Sequence, residues 1–240
     1  MNTVLHKAGT RGHANHGWLN SYQTFSFAKY HDPERMHFGV LRVLNDDTVA
    51  PGQGFGTHPH DNMEIISIPL EGDLEHKDSM GNLAVIKKGD VQVMSAGSGI
   101  YHSEYNRNKD QEVKFLQIWV FPNQQGVTPR YDQISLSGIR KENELYQILS
   151  PHQEDQGVWI HQEAWFHLGE FTREISTSYT INKEGNGIYT FVLEGEVEIA
   201  GQKLEPRDGF GIWDTREIHL QTLPGGRVLL MEVPMGMSKG

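Results

Sequence analysis

Two short stretches carry side chains whose types and spacing suit a metal ion. One is Gly54-Phe55-Gly56-Thr57-His58-Pro59-His60-Asp61-Asn62-Met63-Glu64 and the other is Gly97-Ser98-Gly99-Ile100-Tyr101-His102-Ser103-Glu104-Tyr105-Asn106. Residues two apart in a strand share a face, so His58 and His60 converge. Glu64, four beyond His60, joins them if the strand runs on without a bulge. His102 and Glu104 repeat the two-residue spacing. On neighbouring strands these pairs bring three imidazoles and a carboxylate round one point. That donor set fits one divalent first-row metal, with iron the first choice and Mn, Co, Ni, Cu or Zn as alternatives. The spacing alone leaves open which carboxylate, Glu64 or Glu104, completes the set.

Composition narrows the rest. The 240 residues include 13 histidines and no cysteine, so a metal would be held by nitrogen and oxygen, and thiol chemistry and disulfides are excluded. A formal net charge of −10 without a Lys/Arg cluster argues against nucleic-acid binding and against anionic membrane surfaces. Residues 1–18 lack the apolar core of a secretory signal, and no long apolar run suggests a membrane span. A cytoplasmic setting is expected. There is no P-loop, Rossmann glycine pattern or G-x-S-x-G elbow.

The elements that must position these residues are strands. Stretches such as Phe38–Leu44, Met63–Pro69, Val91–Met94 and Phe115–Val120 alternate with Gly, Asn, Asp and Pro turns. One short helix is expected near Lys141–Ile148. Leu70-Glu71-Gly72-Asp73-Leu74-Glu75 has a counterpart in Leu193-Glu194-Gly195-Glu196-Val197-Glu198, and Gly89-Asp90-Val91 in Arg207-Asp208-Gly209-Phe210. We therefore expect two similar β domains, at residues 1–130 and 145–240, joined by a linker at 131–144. Counting from these landmarks, His58 and His60 correspond to Ile181 and Lys183, and His102 to Leu220. His219 falls on the opposite strand face. The second domain is thus expected to carry no metal. Elsewhere, His6, His13, His16, His31 and His37 are expected at the surface, and His76 in a turn beside Asp78. Trp18, Phe25 and Phe27 are expected to be packing residues. Spacing assigns no strand face to Met94, Gln117 and Trp119, which are left out of the site.

Gly52, His58, His60, Glu64 and Gly72 resemble the first cupin motif, with one extra residue before the last glycine. Gly99, His102 and Asn106 resemble the second, with Gly97 where a proline is usual. The match narrows to the pirin family through Gly17-Trp18-Leu19, Thr24 to Tyr30, Leu41 to Asp47, Glu75 to Asn82, Gln92 to Gly99, His102-Ser103-Glu104 and Leu116 to Trp119. Most of residues 10–131 take part, and the nearest type is the bacterial, flavonol-cleaving one. The resemblance implies an all-β bicupin, two face-to-face jelly-roll barrels with the metal in the first. It also implies His58, His60, His102 and Glu104 as ligands, with Glu64 nearby as a second catalytic carboxylate.

The expected activity is that of a quercetin 2,3-dioxygenase, opening the central ring of a flavonol with O2 and releasing carbon monoxide. The partners would be the flavonol and O2. With both barrels in one chain, a monomer is expected. The alternative is a non-enzymatic, metal-dependent regulatory or redox-sensing pirin that modulates a protein partner.

Overall fold

The structure is a computed structural model and describes residues 1–236. β-Branched and aromatic runs broken by turn residues give strands almost throughout, and the described helices are two 3-10 turns, Ala8–Thr10 and Leu136–Gly138. The strands form two sandwiches, each of a seven-stranded and a four-stranded sheet.

The first large sheet runs in the order Arg130–Ser135, Asp90–Ser95, Glu64–Glu71, Val113–Val120, Leu41–Val49, Leu19–Gln23, Gly12–Asn15. Its small partner sheet is Gly54–His60, Ile100–Asn106, Asp73–Asp78, Leu83–Lys87. In the second half the large sheet is Asn2–His6, Gly209–Trp213, Asn186–Glu194, Gly226–Pro234, Trp165–Phe171, Leu145–Ser150, Val158–Trp159. Its small sheet is Ile175–Thr180, Glu217–Thr222, Val197–Ile199, Gln202–Leu204.

The two large sheets face each other. Leu44, Ile118, Ile66 and Val93 are paired across four adjacent strands and so share one face. That row packs in a single buried cluster with Tyr189, Phe191, Phe166 and Met231 of the second half. The next row is different in kind: Asn45, Gln117, Ser67 and Gln92 are paired in the same way, face the inside of the first barrel and are buried. Nothing in a continuous burial pattern such as Glu64–Glu71 separates the two faces, because both are covered. Only the alternation of apolar and polar residues does.

Four expectations are corrected. Asn2–His6 pairs with Gly209–Trp213, so the first strand belongs to the second barrel. His6 is accordingly buried rather than superficial, with its Nδ1 2.8 Å from the Tyr189 hydroxyl. Arg130–Ser135, which runs from the end of the expected first domain into the expected linker, is a strand paired with Asp90–Ser95. The short helix expected near Lys141–Ile148 is replaced by the strand Leu145–Ser150, whose residues alternate toward Trp165–Phe171.

Ile66 is fully buried in the inter-sheet row. Ile66→Ala is predicted to cost about 2–5 kcal/mol in denaturant unfolding, whereas Leu83→Ala, at an exposed edge position, should cost about 0.5 kcal/mol or less.

Candidate metal centre

Antiparallel pairing of Gly54–His60 with Ile100–Asn106 sets His102 opposite His58 and Ile100 opposite His60. The ring centroids of His58 and His102 are 4.4 Å apart, those of His58 and His60 4.8 Å, and those of His60 and His102 4.9 Å. One nitrogen from each of the three lies within 4.8 Å of the others. His58 and His60 are half-buried, while His102 is buried, so the group opens on the His58–His60 side. A bulge follows: two steps along the His102 strand, to Glu104, match three along its partner, to Phe55. The strands approach so closely there that a Cβ at Gly54 would collide with the Glu104 carbonyl.

The protonation chemistry suits a cation. The His58 Nδ1 lies 2.8 Å from the Gly56 carbonyl, which can only accept, so the proton sits on Nδ1 and Nε2 keeps its lone pair. Burial, with the adjacent His58, pulls His60 down to about 4. Burial and the neighbouring imidazoles pull His102 down to about 2. Both are therefore neutral at physiological pH, as ligands must be. The His102 Nε2 is buried and has no hydrogen-bond partner. A buried nitrogen without a partner is costly unless something else satisfies it, and a first-row metal would.

Glu104 does not join His58 and His60 in that group. It forms a second one with His102 and His76, all three buried. Its Oε1 accepts from Ser67 Oγ at 3.0 Å, and its Oε2 from Gln117 Nε2 at 2.6 Å. Burial raises its carboxyl to about 7 against those two donors. A 390 Å³ depression on the outer face of the small sheet borders the site, lined by Thr57, Ser79, Tyr101, His102 and Tyr105.

The family profile described as Pirin matches residues 4–120, and one described as the quercetinase C-terminal cupin domain matches residues 147–233. A protein of Escherichia coli (strain K12) named quercetin 2,3-dioxygenase is 43% identical over 230 residues, spanning 96% of this chain and 98% of its own. The chain belongs to the pirin family. A pirin-like protein of Caulobacter vibrioides is 37% identical over 222 residues, 92% of this chain and 95% of its own. Among solved structures, the bacterial pirin YhhW of E. coli in complex with nickel(II) superposes with a TM-score of 0.91 at 41% identity, covering 97% of this chain and 99% of that one.

Against the pirin pattern, Glu64 is the clearest departure from expectation. Asn62 takes a positive φ of 43° and turns the chain, so Glu64 opens a new strand in the large sheet. The two-residue parity from His60 does not cross that turn. Glu64 Oε2 accepts from Ser95 Oγ at 2.7 Å, and Arg130 reaches both Ser95 Oγ (3.4 Å) and the Trp159 carbonyl (2.5 Å). The Arg130 guanidinium also lies 3.8 Å over the Trp159 ring. Glu64 thus belongs to a polar bridge between the halves and to neither histidine group. Gly97 stands where a proline was expected because its φ is +48°, outside proline's range, and the Val127 carbonyl occupies the place of a Cβ.

Gln117 and Trp119, left without a face by the sequence, both point into the first barrel. Trp119 stands edge-on to His60 at 4.9 Å, with Phe27 edge-on behind it at 5.3 Å. His76 lies in the strand Asp73–Asp78, buried, rather than in a turn. In the second barrel Leu220 is buried and His219 exposed, as the spacing predicts. Among the described residues, both metal-competent groups lie in the first half. The interior carboxylate of the second, Glu232, is saturated by Tyr179, Asn182 and Asn186 side chains and by backbone N–H groups of Asn182 and Lys183.

Burial raises the Glu64 carboxyl to about 7, opposed by the Ser95 hydroxyl and the Arg130 charge. At low pH both folded and unfolded states hold this proton. As pH rises from 4.5 through 7 the unfolded chain ionises first, so this contribution to stability is lost over that window. Glu64→Gln removes the effect. In urea unfolding of metal-free protein, the variant's stability relative to wild type should climb between pH 4.5 and 7 and then level; a flat difference would contradict the raised carboxyl.

Proposed function

We propose that this pirin is a metal-dependent flavonol 2,3-dioxygenase whose ion, iron as first choice, is held by His58, His60, His102 and Glu104. The observation that carries the reading is the three-histidine group with its unpartnered His102 Nε2, in a chain closely similar to a protein named quercetin 2,3-dioxygenase. Bound there, the metal would supply Lewis acidity toward the flavonol 3-hydroxyl and a redox centre for reaction with O2.

The chain's own residues divide the remaining work. His58 and His60 form the open side, where a chelating substrate enters. Trp119, backed by Phe27 beside His60, offers an aromatic wall suited to a flat polyphenol. Glu104 is the proton acceptor for the 3-hydroxyl. Ser67 and Gln117 hold its two oxygens and set the direction from which it acts. Glu64 takes no part in the chemistry on this reading, since its partners are Ser95 and the Arg130 bridge.

The test is oxygen uptake with quercetin, using protein reconstituted separately with Fe, Mn, Co, Ni, Cu and Zn, with flavonol absorbance and carbon monoxide followed together. Stoichiometric O2 uptake and CO release with at least one metal are expected, with loss of at least about a hundredfold in Gln117→Leu if Glu104 must be held for proton transfer. No turnover with any metal, despite one tightly bound ion per chain, would favour the regulatory reading.

A further inference from the structure

We infer that Asp78 and His76 form a positioning pair that pins the proton of His102 to Nδ1 and leaves its Nε2 lone pair free for the ion. The inference rests on the metal-centre reading above and extends it to two residues outside the proposed ligand set.

Register brings the pair into place. On the Ile100–Asn106 strand, His102 lies opposite Asp78 and Glu104 opposite His76. Asp78 cannot turn away. Its Oδ1 accepts from the backbone N–H groups of Met80 (2.9 Å) and Asn82 (3.1 Å), and its Oδ2 from Asn82 Nδ2 (2.8 Å). That same Oδ2 is 3.2 Å from His76 Nε2, and both side chains are fully buried. A carboxylate only accepts, so the proton of neutral His76 belongs on Nε2, and its Nδ1 is left as an acceptor. Facing that acceptor at 3.5 Å is His102 Nδ1. His102 must then be the donor, and its Nε2 becomes the lone-pair nitrogen. That is the atom buried without a partner.

The arrangement extends the usual carboxylate–histidine support of a metal ligand by one imidazole. It also parallels His58, whose proton is pinned to Nδ1 by the Gly56 carbonyl. Tyr131 completes the support, its ring 4.7 Å from that of His76. The strand Arg130–Ser135 that carries Tyr131 therefore braces the pair from the large sheet.

The experiment reads the tautomer directly, by long-range ¹H–¹⁵N spectra of the imidazoles in ¹⁵N-labelled, metal-free protein at neutral pH. Wild type should show His102 as the Nδ1–H form and His76 as the Nε2–H form. In His76→Phe, His102 should lose that preference, and Ni²⁺ affinity by calorimetry should fall about 10–100-fold. His76→Gln, whose amide can donate to Asp78 and accept from His102, should recover most of it. His102 found as the Nε2–H form in wild type, or unchanged Ni²⁺ affinity in His76→Phe, overturns the inference. So does loss of Ni²⁺ binding in His76→Gln with the His102 tautomer intact, since His76 would then be a ligand itself. Should His76→Phe fail to fold, the wild-type tautomers and His76→Gln still decide. Wild-type Ni²⁺ binding by His58→Ala would instead sink the metal-centre reading while leaving the tautomer result standing.

Discussion

The central strands of the first large sheet are buried on both faces, and the rest of the molecule follows from that constraint. One face must be apolar, because it seals the two barrels together through Leu44, Ile66, Ile118 and their counterparts Tyr189, Phe191 and Met231. The other face looks into the first barrel and carries a polar row, Asn45, Gln117, Ser67 and Gln92. Buried polar groups are costly unless they are paired. Ser67 and Gln117 find their partner in Glu104, which arrives from the opposite small sheet. The sheet that joins the halves therefore also fixes the carboxylate beside the histidines.

The same logic separates the two barrels. In the second, the interior carboxylate of Glu232 takes hydrogen bonds from both side chains and backbone and ties down the loop after Ile175–Thr180. The demand of that carboxylate is met within the protein. In the first barrel, burial neutralises His60 and His102 and raises the carboxyl of Glu104, while the His102 Nε2 stays without a partner. The second carboxylate is saturated, whereas the first barrel gathers three imidazoles round one point. A shared fold accommodates both because the difference lies in a few inward-facing side chains.

The two-barrel plan was legible through the repeat of Leu70–Glu75 in Leu193–Glu198 and the resemblance to pirins, and the histidine group through short-range periodicity. His58, His60 and His102 announce themselves by two-residue spacing within single strands. Glu64 could not be placed that way, because Asn62 turns the chain and resets the parity before the next strand. His76 is a lone histidine in sequence, and only the cross-strand register with Glu104 reveals its position. The exchange of Asn2–His6 into the second barrel leaves no local trace either, since its partner strand lies some two hundred residues away. The expected linker at 131–144 instead holds most of Arg130–Ser135, a strand that braces His76 and bridges to Trp159. What escaped the sequence was long-range pairing.

The most direct measurement is calorimetric titration of metal-free protein with Fe²⁺ under anaerobic conditions, on wild type and the variants His58→Ala, Glu104→Ala and Glu64→Ala. One equivalent should bind in wild type and in Glu64→Ala, more weakly in Glu104→Ala, and not stoichiometrically in His58→Ala. Stoichiometric binding in His58→Ala, or a greater loss in Glu64→Ala than in Glu104→Ala, would contradict the proposed ligand set.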